Sequence, residues 1–294
     1  MEKMRKDKRI ISLLIFPGFC VFMIAVFVPI ILSLYFGTTE WDGISAPVFI
    51  GIENFRRILF EDSLFWKSLG NSLFISACLI VLQHPICMVT ALFIDKVGGK
   101  AEKIFRAIFF LPAIISIMVT SKMWVNILDP NHGMLNKVLH SVGLGQYALS
   151  WLSDPRFSLI AITLIVMWQG FGWGMLIYYT GIKNLPEDVF EAAKIDGANK
   201  VQQFLKVTLP LLKPVIKVNV TLALISGLKQ METVYLTTNG GPMDSSQVIA
   251  NYLYRQAFSA FQYGYSNAIS ILFVIACLIA TVAVQTIFKE EEVR

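Results

Sequence analysis

Hydrophobic residues in this chain come in long blocks, not at the 3.6-residue spacing of a surface helix or the alternation of a half-buried strand. Five blocks reach the ~20 apolar residues needed to cross a bilayer core: Ile10–Phe36, Ser68–Ile94, Ala107–Leu128, Ser158–Ile182 and Asn267–Phe288. The third contains Lys122, which fits if its long stem carries the ammonium to the outer surface. A sixth block, about Leu211–Leu236, is broken by charges. The pattern predicts an all-α integral membrane protein with six transmembrane helices, forming one domain over residues 1–294. Between the blocks lie an outer loop at 37–67, a short inner loop at 95–106, a second outer loop at 129–157 and a charged inner loop at 183–214. The end of the first outer loop, GIENFRRILFEDSLFW, reads as a short surface helix, and DPNHG and SDP mark turns in the second.

Composition agrees with a membrane protein. The chain is 55% hydrophobic and 15% charged, with a mean hydropathy of +0.63. The first block follows MEKMRKDKR, which looks like the basic start of a signal peptide. Its apolar core is too long for one and no small-residue cleavage site ends it, so it reads as a retained span. Of the 25 Lys and Arg residues, 17 fall in the N-tail, 95–106, 183–217 and the C-tail. Basic residues favour the cytoplasmic side, so both termini and the 183–217 segment are expected there. The net charge of +5 is a product of this asymmetry and does not point to nucleic acid. Trp41, Trp66, Trp124 and Trp151 lie near the outer boundaries, where indole rings suit the headgroup level. Cys20, Cys78, Cys87 and Cys277 all fall inside spans with no metal or redox spacing, and read as inert thiols.

Residues 183–214 read KNLPEDVFEAAKIDGANKVQQFLKVTLPLLKP. Pro186 suits the first position of a helix, and Glu187 and Asp188 would then face the positive end of its dipole. Val189, Phe190, Ala192 and Ala193 give that helix a small apolar side. Asp196-Gly197-Ala198 breaks it, a second helix follows at about Lys200–Val207, and Leu209-Pro210 and Lys213-Pro214 end that one. Such a helix–turn–helix suits either a groove on another protein or the surface of the inner leaflet.

Glu191-Ala192-Ala193, Asp196-Gly197-Ala198 and Leu209-Pro210 together resemble the EAA signature of binding-protein-dependent ABC importers. GIENF at 51–55, LPAIIS at 111–116, WQGFGWGMLIYYTGIKNLPE at 168–187, YLTTNGGP at 235–242 and VIANYLYRQAF at 248–258 are similar to its carbohydrate-uptake branch, MalF/UgpA type. The resemblance implies the MetI-like permease fold, without the large extra outer domain of some members. It implies that 183–214 is a coupling loop seated in a cleft of a cytoplasmic ATPase. Glu191 would make the polar contact, Ala192 and Ala193 would allow close approach, Asp196 belongs to the same motif, and Gly197 would supply the turn. The implied partners are a second homologous permease, two ABC ATPase subunits that bind ATP and Mg, and an extracytoplasmic solute-binding protein. The implied setting is the lipid of a prokaryotic cell membrane.

In the fifth block Asn219, Ala223, Ser226, Gln230, Thr233 and Thr237 recur at helical spacing, which predicts one small, polar face. Such a face lines a water-filled path or serves as interhelical glue. Lys229 and Glu232 beside it are one turn apart and can pair. In the fourth block Gln169 and Trp173 share a side, where an indole face could stack on a sugar ring and the amide could bond its hydroxyls. Gly170 and Gly174 suit close helix packing. The resemblance places solute contacts at Gln169, Gly170, Trp173, Ser226, Gly227 and Gln230. His84, just before Pro85, reads as a hydrogen-bonded histidine at a proline kink, and His132 and His140 have no metal-ligand partners in sequence.

No GxxxxGK[ST], HExxH or GxSxG motif is present, and no carboxylate pair suggests catalysis. The chain itself is thus expected to bind no cofactor or metal and to be non-catalytic, and the resemblance implies a permease importing a sugar or oligosaccharide. The same machinery carrying a glycerol phosphodiester or phosphorylated polyol is the nearest alternative. A passive channel or a membrane-embedded enzyme are the readings from other classes.

Overall fold

The computed structural model describes residues 8–288, with side chains from residue 15 onward. Its described residues contain four helices long and apolar enough to span a membrane, or six if each of two bent helix pairs is one span. The chain divides into two compact units: residues 8–65 with Leu253–Ile275, and Trp66–Tyr252 with the segment from Ala276 onward.

In the first unit, Ile15–Gly37 forms one apolar helix with a π turn at Met23–Phe27. Pro29 follows that turn; its ring and missing N–H disrupt the regular ladder, and a wider turn absorbs the mismatch. The hydroxyls of Thr38 and Thr39 donate to the carbonyls of Tyr35 and Phe36, closing the helix end. A two-residue antiparallel ribbon, Thr39–Glu40 with Val48–Phe49, leads to the expected surface helix, Glu53–Phe60. Buried Asn54 donates to the carbonyls of Gly37 and Thr39 at 3.0 and 2.9 Å, fixing the ribbon to that helix.

Asp42 holds the ribbon turn. It accepts from the Ser45 hydroxyl and from the N–H groups of Ile44 and Ser45, which together draw its pKa from 3.8 down to about 2. A lowered folded-state pKa makes this contribution complete above the usual carboxylate range and lost as pH falls through about 2. An NMR titration of the Asp42 carboxyl should show its midpoint near 2, and a midpoint near 3.8 would contradict these bonds.

In the second unit, Ser158–Lys183 is the central helix. Its buried positions include Ile162, Ile165, Met175, Tyr178 and Ile182. Glycines let neighbours approach its backbone. A Cβ on Gly172 would sit 2.8 Å from Phe110 Cα, and one on Gly174 would sit 3.2 Å from both Cys87 and His84. Gly170, grouped with Gly174 on sequence spacing, meets only the Gln83 amide, at 3.3 Å, so of these three glycines Gly172 makes the tightest approach, and to another backbone.

Three expectations need correction. The third block is not one straight helix: Gly99–Ile114 and Ile117–Ile127 meet at 92°. Pro112 lies just before the break, and Ile115 and Ser116 take extended ψ angles of 134° and 138°. Second, Pro85 is accommodated within one 35-residue helix, Ser63–Val97, by a π turn at Leu79–Gln83, and the hydrogen bond expected of His84 is not made at Nδ1. His84 there packs edge-on to Tyr178, and its Nδ1 is buried without a hydrogen-bond partner. Third, the outer loop at 129–157 carries an unexpected helix, Met134–Ser141, anchored by Asn136. Its amide donates to Pro130 and Leu149 carbonyls and accepts from the Trp151 indole.

Of the four cysteines, Cys87 is buried and the others are partly so, and none forms a disulfide. Lys122 is exposed. The final span is Tyr263–Ile287.

Candidate functional site: an exposed hairpin and a partly open helix face

The 183–214 segment folds as a hairpin of two short helices with identifiable stops and starts. Pro186 is the N-cap (ψ 127°) and not the first helical residue; Glu187 opens the helix Glu187–Ile195. Glu187 and Asp188 at its start and Lys194 at its end complement the dipole. Gly197, at φ +78°, ends it. The Gly197 N–H donates to the Lys194 carbonyl and the Ala198 N–H to the Ala193 carbonyl, both at 3.0 Å, which is the paired closure of a Schellman motif. This explains the Ala-x-x-Asp-Gly-Ala order physically. Alanines flank the closure, and the left-handed position falls to the residue without a Cβ penalty.

Asn199 then starts the return helix. Its side chain accepts from Gln202 N while Gln202 Oε1 accepts from Asn199 N, both at 2.9 Å. This capping box was readable in the sequence as Asn-x-x-Gln. The return helix does not end at Leu209-Pro210. It passes through a π turn at Phe204–Thr208, continues to Leu211, and bends 66° into Lys213–Leu228. Pro214 sits in the first turn of Lys213–Leu228, where a missing N–H is harmless, and Pro210 lies just after the π turn in the last residues of the return helix.

No residue of Glu187–Ile195 is buried. Glu191, Ala192, Asp196 and Gly197 are exposed and Ala193 is half-buried. Periodicity directed attention to Val189, Phe190, Ala192 and Ala193, but the largest exposed apolar groups are Ile195 (85%), Val201 (65%) and Leu205 (54%). The hairpin roots, by contrast, are embedded. Ile182 and Leu212 belong to one core cluster with Cys87, Ala91, Ile94, Met175, Tyr178 and Tyr179.

The anticipated solute face is divided. The fifth-span helix ends at Leu228 and a new one starts at Glu232, so the six spaced residues do not share one helix. Asn219, Ala223, Gln230 and Thr233 are buried within this chain, and Ser226 is exposed. Gln230 donates to Thr233 Oγ1 at 2.8 Å. Gly227 lies against Ser76: a Cβ there would be 2.6 Å from Ser76 Cα and 2.7 Å from Ser76 N. Lys229 and Glu232 are exposed, and among the described residues no ion pair joins them.

On the central helix, Gln169 and Gly170 are half-buried and Trp173 is 57% exposed. Gln169 Nε2 donates to the Ile115 carbonyl at 3.1 Å, an acceptor released by the break in the third segment. Trp173 stands edge-on to Phe110 with centroids 5.0 Å apart. Of the six expected contact positions, Trp173 and Ser226 are the ones this chain leaves most open.

Comparison with known proteins fits this architecture. Residues 83–290 match the family described as binding-protein-dependent transport system inner membrane component. The probable ABC transporter permease protein YurN of Bacillus subtilis is 31% identical over 288 residues, covering 97% of this chain and 98% of that one. The multiple sugar-binding transport system permease protein MsmF of Streptococcus mutans is 32% identical over 266 residues, 90% of each chain. The crystal structure of a bacterial ABC transporter involved in the import of the acidic polysaccharide alginate contains a chain with the same fold. Its TM-score is 0.81 at 24% identity, covering 98% of this chain and 97% of that one. With an apolar helical body, no catalytic motif and a family match over most of its length, the chain belongs to the binding-protein-dependent transport system inner membrane components, as a multi-pass ABC transporter permease.

Proposed function

We propose that this chain is one transmembrane permease of an ATP-driven importer for a sugar or oligosaccharide, in the inner or plasma membrane of a prokaryotic cell. In this reading there are six spans, and the excess of Lys and Arg in the inner segments favours the cytoplasmic side for both termini and the hairpin. The hairpin seats on an ABC ATPase through Glu191, Ala192, Ala193, Asp196 and Gly197, with Ile195 entering the groove. A second homologous permease completes the pathway, two ATPase subunits bind ATP and Mg, and an extracytoplasmic binding protein delivers solute.

The observation that carries this reading is the hairpin itself: rooted in the core by Ile182 and Leu212, yet exposing Ile195, Val201 and Leu205. A soluble partner removes that apolar surface from water at about 25 cal/mol per Å². The work cycle is alternating access, in which ATPase closure draws the hairpins together and rocks the permeases about a midplane site. Carbohydrate is favoured as cargo by relatives named for saccharides, among them MsmF and the diacetylchitobiose uptake permease NgcF of Streptomyces coelicolor. The open Trp173 ring supplies a stacking face, whereas a phosphodiester would call for a basic cluster, for which Lys229 is the candidate read from the sequence.

The test is reconstitution of the complete complex in proteoliposomes with a panel of labelled saccharides. ATP-dependent accumulation of one of them is expected, and flux without ATP would favour a channel. Trp173→Ala should reduce uptake at limiting saccharide by about tenfold, one stacking contact's worth, with the partner ATPase still active. Unchanged uptake in that variant would remove Trp173 from the path.

A further inference from the structure

Five polar side chains meet where the central helix leaves the core. Lys183, its last residue, lies 2.7 Å from Asp95 Oδ1 at the end of the second span and 3.8 Å from Glu102 Oε2 at the start of the third segment. Glu102 also pairs with Arg106 at 3.5 Å and accepts from the Tyr179 hydroxyl. Arg106 lies 4.7 Å over the Tyr179 ring, and Lys183 lies 5.6 Å from that ring centroid. Two cations and two carboxylates balance, with Glu102 as the hub and its side chain only 14% exposed.

We infer that this cluster is a mechanical joint: it grips the helix Gly99–Ile114 to the root of the hairpin, so that motion of the hairpin turns that helix about the break at Ile115–Ser116. The inference rests on the coupling role proposed above. Three observations carry it. Lys183 is three residues from the N-cap Pro186, so the joint lies beside the hairpin. Gly99–Ile114 also lays Phe105 and Phe109 against the core cluster that holds Ile182 and Leu212, so packing and the polar contacts grip the same root. Its far end is the 92° break, where Gln169 holds the released Ile115 carbonyl. The path position Gln169 is thus connected to the hairpin through one rigid helix.

The cluster is also incompletely satisfied. Arg106 Nε is buried without a partner, and the Glu102 pairs to Arg106 and Lys183 are longer than a close charge-assisted bond. A set of charges with spare donors can exchange partners as the helix tilts, which a saturated network resists. Low-exposure charges must stay partnered through such a movement, since a stranded one is costly. The joint therefore confines the helix to discrete positions, as a two-state element requires.

The test measures solute imported per ATP hydrolysed by the complete complex in proteoliposomes. Glu102→Ala should lower that ratio about tenfold, while assembly and ATP hydrolysis persist. Tyr179→Phe removes one hydroxyl with no change of packing and should lower it about threefold. A merely structural role would reduce uptake and hydrolysis together and leave the ratio unchanged; that result, or full coupling in Tyr179→Phe, overturns the inference. If Glu102→Ala does not assemble, the Tyr179→Phe ratio decides. Ile195→Asp, at the hairpin surface, separates this idea from the reading beneath it. Normal ATP-driven uptake in Ile195→Asp sinks the coupling role itself. Lost uptake there with a normal ratio in Tyr179→Phe sinks the joint alone.

Discussion

Gly197→Pro should abolish ATP-driven uptake, by about a hundredfold or more, while the chain still inserts in the membrane. Proline fixes φ near −65°, whereas Gly197 stands at +78°. It would also delete the N–H that bonds the Lys194 carbonyl. The Schellman closure cannot form, and the return helix loses its relation to Glu191. Gly197→Ala is the informative control. A Cβ at this position meets nothing within 4 Å, so alanine brings only the left-handed backbone cost of about 1–2 kcal/mol. Alanine should retain measurable uptake and proline should not. The measurement is labelled-solute accumulation alongside co-purification of the ATPase. Full uptake in the proline variant would show that the hairpin does not drive the cycle.

Gly227→Val should strongly destabilise the chain. The new Cβ would meet the Oγ, Cα and N of Ser76, two of them backbone atoms that cannot rotate aside. Overpacking of this kind costs about 1–3 kcal/mol, and more where two helix backbones must separate. A lower thermal-unfolding midpoint of the detergent-solubilised chain is expected. Ser76→Gly should fail to rescue it, because it removes the Ser76 side chain but leaves the Cα and N that the new Cβ meets. Ser226→Ala, one residue away on an exposed position, should leave the midpoint unchanged. Restored stability in the Gly227→Val/Ser76→Gly pair would mean the backbones are farther apart than described here.

Hydropathy made the apolar helices legible because crossing hydrocarbon demands length, and length is visible in sequence. The hairpin was legible for a different reason. Its turn needs a residue at positive φ, and Gly197 between Asp196 and Ala198 signals that directly. What escaped was information held by pairs of segments. The break at Ile115 had a local sign in Pro112, yet its sharpness depends on Gln169 accepting the role of partner for the freed carbonyl. The fifth-span spacing was read as one face, but the helix stops at Leu228, and Gln230 turns inward to Thr233. Periodicity assumes a continuous helix and cannot report its own failure. Gly172 was passed over in favour of Gly170 and Gly174 because a spacing motif does not say which face meets Phe110. The joint around Glu102 joins residues from 95 to 183, a separation at which one sequence offers no pairing rule.

The span Ile15–Gly37 has one further consequence. No residue of its most apolar window is buried by the rest of the chain. Its residence in lipid is a matter of simple partitioning, at a stage that precedes any docking of helices. Ser158–Lys183 is the opposite case, with 44% of its window enclosed by neighbours. During biosynthesis the first helix can therefore settle beside the translocon without waiting for its successors, while the central one acquires its final surroundings only when the helices around it have been made.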